Sequence, residues 1–202
     1  MSDKIAKSPS SRRFEKTRQG ILDAARAIIM ENGIAALSIR HLAEKVDYSP
    51  AAIYKYFQNK EEILVELRAE GWRLMAQDDQ DIPKDLPPEK MFLALAQNYL
   101  KFAKNHPAHY LLIMSPTDDV PAGLEEFIDG SEFHGFIQFT EQLVASGIVA
   151  LPKGYTPVHL AFLNWFIVHA ISMLRITMMR KCAPDFDKLS NEVIEMAMKM
   201  IL

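Results

Sequence analysis

The stretch YSPAAIYKYFQNKEEIL, residues 48–64, packs Tyr54, Tyr56 and Phe57 into four positions, with Lys55 between them and Lys60 just beyond. It is too polar for a core helix and too aromatic for a solvated one. Its punctuation is readable. Ser49 has the side chain of an N-cap, and Pro50 falls at the first helical position, where its missing N–H is no loss. Asn59 caps the next helix, with Glu62 three residues on in a capping-box position. A helix is therefore expected over about 50–57, packing through Ile53 and Phe57. Just upstream, Ser38 reads as the cap of IRHLAEKV, whose apolar face is Ile39, Leu42, Ala43 and Val46. Two short helices joined by the three-residue turn DYS make a helix-turn-helix.

Outward from that motif the chain is helical almost throughout. Apolar residues recur at helical spacing and alternating β-branched runs are absent, so the fold class is all-α. A first helix is expected over about 14–31, stopped at Gly33, with residues 1–12 as a disordered basic tail. The proline-rich acidic segment 78–89 reads as a hinge. Beyond it the spacing predicts helices at about 88–104, 107–115, 123–146, 157–181 and 186–201. The domain reading is a tail at 1–12, a helix-turn-helix domain at 13–62, and a helical ligand-binding and dimerisation domain at 63–202.

The charge distribution agrees with two modules. The 202 residues carry a net charge of −3, yet residues 1–60 hold 11 Lys/Arg against 6 Asp/Glu, while residues 61–202 hold 12 against 20. A basic module on an acidic body suits contact with a polyanion. The single cysteine, Cys182, excludes an internal disulfide and fits a cytoplasmic setting; Arg180 and Lys181 are the only neighbours that could activate it. The N-terminus lacks the apolar core of a signal peptide. The apolar run 158–174 is interrupted by His159, Asn164, His169 and Ser172 and is read as a doubly buried helix of a soluble protein, not a membrane span.

A helix-turn-helix presents the start of its second helix to the major groove of DNA. Pro50, Ala51 and Ala52 are small and apolar, which lets the backbone come close and touch thymine methyls. Tyr54 and Lys55 follow as a long ring and a cation for base edges. Tyr56 and Lys60 are assigned to phosphates, and Arg40 to a guanine edge or a phosphate. The cap residues Ser38 and Ser49 complete the DNA-facing set. Aromatic residues at this spacing also serve as plain core, and exposed lysines are commonly just solvated.

The residues Leu42-Ala43, Ser49, Tyr54 to Phe57 and Lys60-Glu61-Glu62-Ile63 closely resemble the recognition motif of the TetR/AcrR family of bacterial transcriptional regulators, over about residues 14–65. Gly33 and Ser38 match the same pattern. Two positions depart from it. Asp47 stands where the family has glycine, and tolerates a left-handed turn better than most residues. Tyr48 stands where the family has valine, and its ring is expected to fit against the first helix. The resemblance implies a homodimeric repressor on a palindromic operator, released by a small-molecule effector. It implies no enzyme activity. The pieces FAKNHPAHYLLIM and NWFIVHA also resemble a subgroup with a Trp-x-x-x-His-Gly motif, through Trp165 and His169, with Ala170 in place of the glycine.

The helix expected at 157–181 is apolar on two faces, one through Val158, Ala161, Phe162, Trp165, His169 and Ser172, the other through Leu160, Leu163, Ile167, Ile171, Leu174 and Met178. Such a helix needs two partners, its own core and the twin helix of a second subunit. With 186–201, striped by Leu189, Val193, Met196 and Met200, it is the expected dimer interface. An apolar effector cavity is expected among Tyr99, Phe102, Tyr110, Met114, Phe136, Phe162, Trp165, His169 and Met173. Each of these residues also suits plain core. No nucleophile motif, phosphate loop or metal-ligand spacing is present, and no cofactor or metal is expected. His106 and His109 are read as surface or capping residues. The alternative reading is a helical ligand-binding protein or enzyme whose helix-turn-helix has lost DNA.

Overall fold

Ser8 starts the first helix. Its Oγ accepts from the Ser11 N–H at 3.2 Å and Pro9 occupies the first turn. Residues 9–12 are thus helical rather than tail, because the cap lies upstream of the basic residues. The computed structural model describes residues 8–117, 121–130 and 133–201, so the tail expectation for residues 1–7 lies outside the described residues. The helices are α1 (Pro9–Asn32), α2 (Ile39–Lys45), α3 (Pro50–Ile53), α4 (Lys60–Gln80), α5 (Pro88–Asn105), α6 (Pro107–Ile113), α7 (Leu124–Gly130), α8 (Phe133–Ala145), α9 (Pro157–Ile176) and α10 (Ala183–Ile201). The fold is all-α, and the described residues contain no strand.

By its contacts the chain divides into two units. One comprises Met1–Arg73 and Pro107–Met114, the other Leu74–His106 and Ser115–Leu202. The core of the N-terminal unit joins Ile21, Ala25, Ile28 and Ile29 of α1 to Leu42 and Ala43 of α2, Ile53 and Phe57. It also takes in Ile63 and Leu67 of α4 and Leu112 of α6. The boundary expected at 62/63 therefore falls inside this unit. Gly71 explains how α6 comes so close to α4: a Cβ there would lie 2.9 Å from Ile113 Cδ1 and 3.0 Å from His109 Cβ. His109 is buried, not a surface residue, with Nε2 3.2 Å from Glu70 Oε2, which also accepts from Arg26 Nη1 at 2.7 Å.

The C-terminal unit is built on Phe92 and Ala96 of α5, Leu143 of α8, Leu160 and Val168 of α9, and Ile194 and Met198 of α10. Several expected boundaries move. Asp78 and Asp79 lie in the last turn of α4 instead of a hinge, and Asn98 Nδ2 donates to Asp79 Oδ1 at 2.6 Å. Burial, with the neighbouring Asp78 charge, raises the Asp79 carboxyl above its ordinary range against that bond. The helix expected over 123–146 is two, α7 and α8, and the residues between them lie outside the described residues. The helix expected to reach 181 stops at Ile176, where Thr177 Oγ1 donates to the Met173 carbonyl at 2.6 Å and a 3-10 turn follows at Arg180–Cys182.

The α10 stripe Leu189, Met196 and Met200 is exposed; the face that packs carries Ser190, Ile194 and Met198. In α9 the inward residues are Leu160, Ala161, Asn164, Val168, Ser172 and Ile176, while Leu163, Phe166 and Leu174 are exposed. The helix is therefore buried on one face within the chain, not on two. Pro157–Ile176 is long and apolar enough to cross a membrane by length and composition, with a mean hydropathy of 1.5.

Candidate nucleic-acid interface

Caps fix the helix-turn-helix. Ser38 Oγ accepts from the His41 N–H at 3.1 Å, and Ser49 Oγ from the Ala52 N–H at 3.3 Å. Each hydroxyl thereby satisfies an N–H that the helix leaves unpaired and keeps its own proton free to donate outward. Between the two helices Asp47 takes φ 57°, the left-handed turn that its short polar side chain tolerates. The Tyr48 N–H reaches back to the Ala43 carbonyl at 2.9 Å and closes the turn.

Helix α3 is shorter than expected. After Ile53 the chain tightens, with Lys55 N–H on the Ala52 carbonyl at 3.3 Å and Tyr56 N–H on the Ile53 carbonyl at 2.9 Å. The reason lies in the next cap. Asn59 Oδ1 accepts from the Glu62 N–H at 2.8 Å, and Glu62 Oε2 accepts from the Gln58 N–H at 2.6 Å. The backbone must leave the helix to reach those partners.

On the outer surface Pro50 and Ala51 are exposed and Ala52 is half-buried. Tyr54 is 56% exposed, Lys55 is exposed beside it, and Ile53 and Phe57 are buried beneath. Arg40 stands on the same motif with its side chain 86% exposed, its Nε 3.2 Å from Glu44 Oε1. An exposed pair of this kind is weak, so the guanidinium can exchange Glu44 for a phosphate at little loss. Lys60 is half-buried at the first turn of α4. Tyr56 is less available than the sequence suggested. Its ring is half-buried against Phe14, centroids 4.8 Å apart.

Other residues on this surface escaped the sequence reading. Tyr48 was expected to pack against the first helix, yet it is 46% exposed next to the start of α3. Arg12, Arg13 and Lys16 are exposed on α1; only Arg12 lies in the stretch expected to be tail, and none of the three was among the residues expected to face DNA. The signal that could have found them is the Ser8-Pro9 pair, a cap followed by a first-turn proline. Arg18 is tied down, stacking over the Phe57 ring at 4.5 Å and pairing with Glu66.

Among the residues expected to line an effector cavity, Tyr99, Trp165 and His169 meet. Trp165 Nε1 donates to Tyr99 Oη at 3.2 Å, and that hydroxyl lies 3.5 Å from His169 Nδ1. Burial lowers the His169 pKa, which favours the neutral imidazole. Phe162 and Trp165 stack in a wider group with Phe127 and Phe133, and Phe133 adjoins Phe136. Phe127 and Phe133 were not among the residues expected to line a cavity. Phe102 is buried with its ring 5.5 Å from His106, and Met173 is half-buried on α9. Tyr110 and Met114 fall in the N-terminal unit, whereas the other seven belong to the C-terminal unit.

A capped helix-turn-helix with an exposed second helix is the arrangement that offers a helix to the major groove of DNA, and here it is carried on a chain with a separate helical unit. Residues 21–67 match the bacterial regulatory proteins of the tetR family. The chain is 32% identical over 88 residues to the HTH-type transcriptional repressor KstR of Rhodococcus jostii, covering 44% of this chain and 42% of that one. It is also 32% identical over 88 residues to the fatty acid metabolism regulator protein of Bacillus subtilis, covering 43% and 45%. The chain spans about half the length of the curated relatives it matches. The ketosteroid transcriptional regulator KstR2 of Mycobacterium tuberculosis has the same fold, with a TM-score of 0.68 at 15% identity over 92% of this chain and 94% of that one.

Proposed function

We propose that the protein is a cytoplasmic repressor that binds a palindromic operator as a homodimer and is released by a small apolar or amphipathic effector. The observation that carries this is the capped α3 surface, where Pro50, Ala51, Tyr54 and Lys55 face outward together while Ile53 and Phe57 anchor them from below. Base edges are read by Tyr54 and Lys55, with Tyr48 beside them. Phosphates are held by Lys60, Arg40, the hydroxyls of Ser38, Ser49 and Tyr56, and the α1 cations Arg12, Arg13 and Lys16.

Dimerisation is supported by the uncovered stripes Leu163, Phe166 and Leu174 on α9 and Leu189, Met196 and Met200 on α10. Exposed apolar residues at helical spacing on two neighbouring helices suit a four-helix seam with a second copy. The same seam accounts for the membrane-like composition of α9, whose packed face carries Asn164 and Ser172. Two copies then present α3 to half-sites about 34–36 Å apart. The effector reading rests on the aromatic group around Tyr99, Trp165 and His169. It fits relatives named for fatty acid metabolism and ketosteroid regulation.

The test is selection from a random duplex pool, followed by binding in a salt series. An enriched palindrome whose affinity falls steeply with salt is expected. Tyr54→Ala and Lys55→Ala weaken the selected sequence more than random duplex, whereas Lys60→Ala weakens both about equally. A pool with no enrichment and no salt-sensitive retention would favour the alternative, a helical ligand-binding protein that has lost DNA.

A further inference from the structure

Between α5, α9 and α10 lies a cleft of about 240 Å³, lined by Lys101, Lys104, Ser172, Arg175, Asp187 and Asn191 among others. None of its lining residues belongs to the aromatic group around Tyr99, and its chemistry is different. Asp187 holds two cations at once: Arg175 Nε donates to Oδ1 at 2.5 Å, and Lys104 Nζ lies 2.8 Å from Oδ2. Lys101 adds a third positive charge, its nearest carboxylate being Asp78 at 3.8 Å. Arg175 uses only Nε on Asp187, so the paired Nη groups that make the guanidinium a fork stay uncommitted among the described residues.

Ser172 supplies the second observation. It is 1% exposed, yet its Oγ has no hydrogen-bond partner among the described residues, not even the carbonyl one turn back. Buried hydroxyls are seldom left in this state. This one lines the cleft, next to the guanidinium one turn further along α9. A donor with nothing to donate to, beside a half-used arginine fork and a lysine, is missing an acceptor.

We propose that this cleft binds a small organic anion bearing a carboxylate or phosphate, gripped by Arg175 and Lys104, with Ser172 donating to it from the floor. The volume lies below the roughly 300–1,000 Å³ of drug-sized pockets, which restricts the ligand to a few carbons. Asp187 is the built-in competitor. Burial pushes its carboxyl up, but hydrogen bonds from Arg175 and Lys104 and their charges outweigh this and hold it below the ordinary range. It therefore stays ionised and shares the same cations with an incoming anion.

Calorimetric titration of the full chain with succinate and with inorganic phosphate, against chloride at equal ionic strength, tests this site without reference to DNA. Saturable binding of one anion per chain is expected. Succinate alone would assign a carboxylate ligand and phosphate alone a phosphate. Arg175→Lys keeps the charge but loses the fork and weakens binding about tenfold. Ser172→Ala weakens it about fivefold, the loss of one hydrogen bond. Asp187→Asn removes the competitor and tightens binding about fivefold while lowering the melting temperature, a gain that a purely structural carboxylate does not predict. If Arg175→Lys fails to fold, the other two variants carry the test. No saturable binding of either anion, binding that Ser172→Ala and Asp187→Asn leave unchanged, or binding abolished by Asp187→Asn would overturn the assignment.

Discussion

The two units of this chain are specified in different ways. In the N-terminal unit the helix starts carry side-chain caps, Ser8, Ser38, Ser49 and Asn59, each with its own backbone partner within three residues. The turns are marked by Gly33 at φ 83° and Asp47 at φ 57°. In the C-terminal unit α5 opens on prolines with no side-chain cap, α9 keeps one local cap in which His159 Nδ1 accepts from the Thr156 N–H at 3.2 Å, and the long helices are otherwise held by apolar faces and a few shared charges such as Asp187. Local rules fix geometry residue by residue. Apolar stripes fix only which sides are greasy, and leave open which of them the chain itself covers.

The largest effect expected from this contrast is at Phe57, which is 1% exposed under α3. Phe57→Ala should lower the stability of the N-terminal unit by about 3–5 kcal/mol, read as a denaturant midpoint shift. Phe166, at 59% exposure, has the opposite character. Phe166→Glu should leave the subunit's helix content unchanged and appear in sedimentation as a move toward the monomer. If Phe166→Glu unfolds the subunit instead, its exposure in the single chain is misleading and the contrast fails.

Smaller again is the loss of a cap. Ser49→Ala should cost about 1 kcal/mol, visible as a lower melting temperature, and should also weaken DNA retention because α3 is the surface being capped. The smallest effect is with pH. His169 has a folded pKa below its ordinary 6.5, since burial disfavours the cation. Stability from this source is fully present above the unfolded value and falls as pH drops below it, because the unfolded chain takes up a proton first. Melting temperatures should therefore decline between about pH 7 and 5, and less so in His169→Gln. A decline of equal size in the variant would assign the dependence to other groups.

Legibility follows the same division. The helix-turn-helix was readable because its caps, its turn and its two buried anchors, Ile53 and Phe57, lie within twenty residues of one another. The misreadings inside it are side-chain directions. Tyr48 turns outward and Tyr56 settles on Phe14, choices made by packing and not by spacing. In the body, helix existence was legible and inner faces were not. Leu189, Val193, Met196 and Met200 form a regular stripe, yet the packed side of α10 carries Ser190, Ile194 and Met198. A serine on the inner face bonds its own helix, Oγ to the Phe186 carbonyl at 2.6 Å, and so hides from a hydropathy pattern. The participation of α6 in the N-terminal core was also illegible, because it depends on Gly71 letting a segment more than thirty residues away approach α4.

Asp47 carries a consequence for how this motif can drift. An aspartate held in the left-handed region carries some backbone strain, which a glycine would relieve. Glycine would also enlarge the freedom of the unfolded chain, by roughly 0.4–1 kcal/mol. The two changes oppose each other. Exchange between aspartate, asparagine and glycine at this bend is therefore close to neutral, whereas a β-branched residue would pay the strain with nothing in return. Lineages can wander among the three permitted residues while the exposed face of α3 next door stays put.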